Sequence, residues 1–507
     1  MSAHSATNST GVVIERRVDA TRDDALGRDD AVGVAGRIAE SEISASEAVA
    51  ASIERWRTVE PDLCSTVLER FEQAATEAAG FTSGVFAGVP TAIKDNVELA
   101  GHPTLSGSKG TPDRLATDHS EIVRQILGSG AIPIVKSRLP EFGFIATTEF
   151  FDAEPVRNPW DTTRSAGGSS GGSAALVAAG VVPFAHANDG GGSIRIPSSC
   201  CGLVGLKPSR GRVALSPSGS QLPIDIISDN IVTRSVRDTA TFLAYSEQSH
   251  ASPDLDRVGM VEGPGGSLRI AMATTRSDGS PVDPQCARET ERIAGVLESL
   301  GHTVEPIELS ALVSDQFVDD FVLYWAMLAG SLRYGARLLL GRGADPTAFD
   351  PITQGLAKFS AVNAHRIPSA IRRLRSAPDV ERKILGDRFD LLLSPTLALP
   401  PVPLGHIAPT VDYDTLMERM AEYASFTPVQ NLTGAPAISL PVGRTDDGLP
   451  IGIQFASTLG GERPLLEVAY ALEEADPWPL TPLDDLTMAD QADDLVHLEG
   501  HAGSEVI

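Results

Sequence analysis

Two stretches of this chain bring together residues able to do chemistry. Between Arg164 and Gly211 the sequence runs through SAGGSSGGSAALVAAG and NDGGGSIRIPSSCCGLVGLKPSRG, a frame of glycine and serine. Upstream, GVPTAIKDN carries an isolated lysine, Lys94. Cleaving an amide needs a nucleophilic hydroxyl, a base to take its proton, and N–H donors aimed at the developing oxyanion. Gly190, Gly191, Gly192 and Ser193 could supply those donors, because glycines let successive backbone N–H groups face one ligand without side-chain obstruction. Ser193 would then sit beside its own oxyanion hole. A lysine can act as the base only if burial or neighbours bring its pKa down from about 10.4 toward neutrality. Lys94, flanked by Ala92 and Ile93, is a candidate.

Rival constellations are weaker. Gly168–Gly172 satisfies G-x-S-x-G with Ser170 as nucleophile, but that elbow needs a strand immediately before it, and Asp161–Gly167 reads as no strand. Ser106-Gly-Ser-Lys109 matches S-x-x-K and Ser228-Asp-Asn230 matches S-D-N, yet no K-T-G follows and the two lie far apart. No P-loop lysine motif, HExxH, EF-hand or paired CxxC is present, so neither metal nor cofactor is expected. Cys64, Cys200, Cys201 and Cys286 are too few and too irregular for a disulfide framework; Cys200 and Cys201 read as buried spacers. A reducing, cytoplasmic setting fits that usage. Asn8 and Asn431 open glycosylation sequons that have no consequence without secretion. The glycine and serine density is no linker, because an Ala/Leu/Val helix and apolar SIRIP and CCGLVGL strings interrupt it.

The elements that must hold these residues alternate between helix and strand. Val32, Val34 and Ile38, then Val49, Ile53 and Trp56, recur at helical spacing, with Asp30 and Ser44 or Ser46 as candidate N-caps. VFAGVPTAIKDNVELA reads as a strand entering a loop near Lys94; SEIVRQILGSG and AIPIVKS read as a helix, a glycine stop and a buried strand. LRIAMAT, FDLLLSPTLALPP, APAISLPVG and LPIGIQFAS add strands, with helices over PVDPQCARETERIAGVLESLGHTV and PLLEVAYALEEA. The class is α/β. A loosely held arm is expected over 1–25, a single domain over 26–478 with its catalytic core at about 85–240 and a variable, substrate-shaping region at about 245–390, and an acidic tail over 479–507. Tyr324, Trp325 and Met327 in LYWAML could line an apolar pocket or sit in a core helix. With 41 basic against 67 acidic residues the net charge is −26, a poor surface for a phosphate backbone. No apolar leader or membrane span stands out. The expected partner is a small molecule, not nucleic acid or membrane, and a homodimer is left open.

GVPTAIKDN, RNPWDTTRSAGGSSGGSAALVAAG and NDGGGSIRIPSSCCGLVGLKPSRGR resemble the amidase signature family of serine hydrolases. The resemblance implies a large mixed central β-sheet with helices on both faces and a Ser-Ser-Lys triad without cofactor. Matched residue by residue, the lysine of the KD pair is Lys94, the bridging serine is Ser169, which in the family follows a cis peptide bond, and the nucleophile in GGSIR is Ser193. The oxyanion hole maps to the N–H groups of Gly190, Gly191, Gly192 and Ser193. Ser170, Asp189 and Arg195 would support the triad, the latter two as an orienting ion pair unless they are solvated charges. His186 is taken as packing. Asn188 and Gly190 depart from the commoner threonine-bearing pattern, which leaves the shape beside the oxyanion hole open. An acyl-enzyme on Ser193 is implied. The DGGGSIRIPSSCCGL variant is most similar to stand-alone bacterial aryl and aliphatic amidases and 6-aminohexanoate cyclic dimer hydrolases, so the expected substrate is a small aliphatic, aryl or oligomeric, nylon-type amide. Ile196 stands where a glutaminase subunit of a tRNA-dependent amidotransferase would carry glutamine. That subunit, and a non-catalytic binding protein on the same fold, are the alternatives.

Overall fold

Apolar side chains alternate between two interiors along the central strands, and that alternation fixes the architecture. In a computed structural model, residues 17–80, 83–214 and 222–484 are described. The strands are β1 (Thr66–Glu69), β2 (Pro90–Lys94), β3 (Ile132–Ser137), β4 (Arg157–Asn158), β5 (Asp161–Ser165), β6 (Phe184–Asp189), β7 (Val204–Lys207), β8 (Ser228–Thr233), β9 (Arg269–Met272), β10 (Thr303–Pro306), β11 (Leu391–Pro395), β12 (Ala437–Arg444) and β13 (Pro450–Ala456). Among the described residues, eleven form one mixed sheet in the order β1-β3-β2-β6-β8-β7-β12-β13-β11-β9-β10. Its β2/β3, β2/β6, β9/β10 and β9/β11 pairs are parallel and the rest antiparallel. Ala92, Ala185 and Val232 belong to one apolar core while their neighbours Ile93, Phe184 and Ile231 belong to the other, as strands buried on both faces require. Helices cover both faces, as expected for this α/β class.

The caps read from sequence hold with one refinement. Asp30 accepts from the Gly33 N–H at the start of the helix Ala31–Ala39, and Ser44, not Ser46, caps Ala45–Leu63 in a reciprocal pair with Glu47. Two expectations need correction. Asp161–Ser165 is a strand, β5, hairpinned to β4; alternating burial did not reveal it because its residues are mostly half-buried. The arm is not loose over 17–25, where the Val18 N–H donates to Pro159 O, the Ala20 N–H donates to Ala179 O, and both side chains are buried. Residues 1–16 of that arm and 485–507 of the acidic tail lie outside the described residues. No described helix is long and apolar enough to cross a membrane.

The central sheet delivers the site. β2 and β6 run parallel as neighbours, so their C-terminal residues Lys94 and Asp189 end at the same edge, and the chain leaving β6 turns into the short helix Arg195–Cys201. Farther along, a buried charge cluster ties the later elements to the sheet. The Arg212 guanidinium donates to Glu462 Oε1 (3.0 Å) and Oε2 (2.9 Å) on the helix Glu462–Ala475, and to Glu247 Oε1 (2.6 Å) on the helix Val236–Ser249. Removing one partner of such a cluster strands the remaining charges in the interior, at about 3–5 kcal/mol. Arg212→Met is therefore expected to lower the free energy of unfolding by about that amount, read from the midpoint of a urea transition at neutral pH.

Candidate active site

Lys94 ends a strand whose five residues are all buried, and its side chain is itself 0 % exposed. Its Nζ lies 2.7 Å from Ser169 Oγ, 2.8 Å from Ser170 Oγ and 2.6 Å from Asn188 Oδ1, all neutral partners. Burial pushes its pKa down to about 7, against the opposing pull of Asp229 and then Asp189. A neutral amine has two hydrogens and one lone pair. Asn188 Oδ1 can only accept, so the lone pair faces a serine hydroxyl. Ser170 Oγ also donates to Asn188 O at 3.3 Å, which directs its hydrogen away from the amine and leaves Ser169 as the hydroxyl facing that lone pair.

The Gly168–Ser169 peptide bond is cis, and Ser169 and Ser170 lead into the helix Gly171–Ala178. Ser169 is covered by the turn at Glu141–Gly143. Gly143 has φ +74°, and a β-carbon there would meet Ser169 Oγ at 2.9 Å, so this position takes glycine for both reasons.

Ser193 sits on the turn between β6 and the helix Arg195–Cys201 and is 8 % exposed. Asp189 builds that turn. Its carboxylate accepts from the Gly192 N–H (2.7 Å), the Ile194 N–H (3.2 Å), Asn431 Nδ2 (2.9 Å) and the Arg195 guanidinium (2.9 Å at each of two nitrogens). Burial alone would raise its pKa, but Arg195 and Asn431 hold it down at about 2. Asp189 and Arg195 are thus a fully buried pair and not solvated charges. One oxyanion assignment needs correction: the Gly192 N–H is taken by Asp189, so it is not free for a substrate oxygen. The N–H groups of Gly190, Gly191 and Ser193 take part in no hydrogen bond among the described residues. Gly192 instead serves the backbone, with φ +132° and room for no β-carbon, which would meet Thr427 Oγ1 at 2.4 Å.

Sequence reasoning missed the far partners of this turn. Arg195 also donates to Gln430 Oε1 (3.0 Å), Asn431 Oδ1 (2.8 Å) and Gln454 Oε1 (2.8 Å), and Thr427 Oγ1 donates to Gly191 O (2.6 Å). The strings NLTGAPAISLPVG and GLPIGIQ contain two of these residues, Asn431 and Gln454, yet nothing local marks them as ligands of an arginine more than two hundred positions upstream. Asn431 is buried among them, which removes its sequon from consideration. Asn188, in sequence only a departure from the commoner threonine-bearing pattern, is the third partner of Lys94.

A cavity of about 260 Å³ opens over Ser193. Phe144, Ile145, Gly191, Ile196, Phe321 and Trp325 form apolar walls, with Met417 and Met420 beyond, and Arg276, Asp278, Asp315 and Asp319 also line the cavity. Trp325 Nε1 donates to Phe144 O (3.1 Å), and its ring packs against Phe321 and edge-on to Phe144. Of the LYWAML residues only Trp325 lines this space. The Tyr324 hydroxyl donates to Ile224 O (2.6 Å), and Met327 packs in the same side cluster. The rival motifs separate in space. Lys109 is exposed and pairs with Asp152; Cys200 and Cys201 are buried, and burial pushes the Cys200 thiol up to about 12. Although β5 precedes the G-x-S-x-G run, Ser170 is fully buried beneath Lys94. The described residues hold no group of three His, Cys, Asp or Glu side chains placed to bind a metal.

This geometry has relatives. The amidase family profile matches residues 47–466. A protein named "Putative amidase AmiC" from Mycobacterium tuberculosis is 46% identical over 465 residues, 91% of this chain and 98% of the relative. Among solved structures, a 6-aminohexanoate cyclic dimer hydrolase superposes with a TM-score of 0.82 at 32% identity, covering 90% of this chain and 98% of the other. A bacterial aryl acylamidase of the amidase signature enzymes does so with a TM-score of 0.78 at 27% identity, covering 89% and 96%. The chain therefore belongs to the amidase family, and it is a hydrolase of amide bonds with the amidase signature fold.

Proposed function

We propose that the chain hydrolyses small, neutral, largely apolar amides through an acyl-enzyme on Ser193, with Ser169 and Lys94 as its proton relay. The observation that carries this reading is the buried Lys94 amine held against Ser169 by neutral partners alone. In the acylation step the Ser193 hydroxyl oxygen forms a bond to the amide carbon as the carbonyl π pair moves onto oxygen. The Ser193 proton passes to Ser169, whose own proton fills the Lys94 lone pair. The free N–H groups of Gly190, Gly191 and Ser193 are the donors available to the oxyanion, and losing such a donor typically costs about 3–4 kcal/mol of transition-state stabilisation. Collapse breaks the C–N bond while Lys94 returns its proton through Ser169 to the leaving nitrogen. Water then repeats the sequence on the acyl-enzyme and releases the acid.

The apolar walls around Ser193 favour an aliphatic, aryl or oligomeric acyl group. Charged partners for glutamine's α-ammonium and α-carboxylate are confined to Arg276, Asp278, Asp315 and Asp319 on the same cavity, whereas Phe144, Ile145, Ile196 and Trp325 offer none. Retention of the relay, the ion pair behind it and an open cavity argues against a purely binding role. All four cysteines are free, in keeping with a cytoplasmic setting.

Amide cleavage followed by mass spectrometry over short aliphatic amides, anilides, aminohexanoate oligomers and glutamine tests the reading. Cleavage of the apolar amides is expected to fall at least about 10³-fold in Ser193→Ala; cleavage that persists in that variant places the nucleophile elsewhere. The base must be neutral to accept a proton, so kcat/KM is expected to be low in acid and to rise as pH climbs through about 7. A profile flat from pH 5 to 9 contradicts Lys94 as the base. Trp325→Ala is expected to raise KM for anilides several-fold more than for acetamide, because it removes one apolar wall and leaves the relay untouched.

A further inference from the structure

Taking up a proton turns Lys94 into an ammonium enclosed by Ser169, Ser170 and Asn188, none of which carries charge. A buried cation without a nearby opposite charge is unstable. Two carboxylates face it. Asp189 is bound to Arg195 through two charge-assisted hydrogen bonds, so its charge is largely offset. Asp229, 3 % exposed, has no guanidinium or ammonium against it among the described residues; its side-chain contact is a hydrogen bond with His186 Nε2 at 3.2 Å. His186 Nδ1 is buried without a partner, so the ring hydrogen belongs on Nε2, donated to Asp229. In the β6/β8 register Asp229 lies directly opposite Asn188, which places their side chains on one face, about 5 Å apart at the β-carbons. Asn188 in turn touches Lys94.

Resting on the reading that Lys94 is the base, we propose that Asp229 is a positioning residue: the uncompensated buried carboxylate that supports Lys94 while it carries the proton, with Asn188 packed between them and His186 fixing its direction. The S-D-N string at 228–230 thus supplies a counter-charge rather than a proton shuttle. The other charged groups act on the carboxylates: Arg195 and Lys207 on Asp189, and Asp225 on Asp229. Asp229 outweighs Asp189 in favouring the protonated amine.

The test needs no known substrate. A fluorophosphonate reports on Ser193 directly, since the Ser193 Oγ–P bond forms, the P–F bond breaks with fluoride leaving, and the serine proton goes to the base. Labelling rates of the full-length protein would be measured from pH 5 to 9, with the labelled peptide identified by mass spectrometry. The native chain is expected to show a rate that rises with pH. In Asp229→Asn, or in the smaller neutral Asp229→Ser should the amide not fold, the midpoint is expected to move down by about one pH unit, with a lower plateau because the base is weaker. Asp229→Glu, which keeps the charge, is expected to hold the native midpoint, and Asn188→Asp, which puts a carboxylate against the amine, to move it up by about one unit or more. An unchanged midpoint in the neutral variants, or a loss of rate equal at every pH, overturns the assignment and leaves Asp229 a structural residue. Absence of label on Ser193 in the native chain overturns the acyl-enzyme reading itself, a separate result.

Discussion

The constraint on which the rest of this structure depends is the cost of removing an amine from water. Lys94 stands at the end of a strand buried on both faces, and its neighbours return three hydrogen bonds but no charge. Under those conditions the neutral form becomes accessible near neutral pH. Everything around it is arranged to keep that environment dry and fixed: glycine backbone pressed on Ser169 from Gly143, Ser170 and Asn188 locking the amine in place, and helices closing both faces of the sheet.

Charge is handled by different means at the turn that carries Ser193. There the protein buries a full ion pair and satisfies it completely: the Asp189 carboxylate serves three backbone N–H groups, an amide and a guanidinium, and Arg195 spreads its remaining donors over the side-chain amides of Gln430, Asn431 and Gln454. A buried pair of this kind adds little net stability but is costly to break. Its value is geometric, because it takes the Gly192 and Ile194 N–H groups out of play and fixes which of the neighbouring donors face the cavity.

Much of this was legible in the sequence because the chemistry is local there. Lys94, Ser169 and Ser193 lie in short strings whose glycine spacing is itself a backbone instruction, and β2, β3 and β12 are apolar runs. What stayed hidden was long-range or conditional. β5 is half-buried and shows no alternation, so DTTRS read as loop. Gly192 looked like its neighbours Gly190 and Gly191, and only the direction of its N–H toward Asp189 separates it from them. Tyr324 and Trp325 are adjacent in the chain, yet helical geometry turns one to Ile224 and the other to the cavity, a division that exists only once the helix Asp315–Leu339 has packed against its neighbours. Asp229 sat in a string that matched another enzyme class by chance, and its real context, opposite Asn188 across β6 and β8, exists only once the strands pair.

The ligands of Arg195 carry a consequence for how the protein comes into being. Its side chain waits for Gln430, Asn431 and Gln454, residues made after more than two hundred others have left the ribosome. Until they arrive, the segment bearing Ser193 has its arginine only partly satisfied and its turn incompletely held. The turn that carries Ser193 is synthesised in the first half of the chain, yet its arginine depends on contacts from the second half, and a truncated or stalled product is left without them.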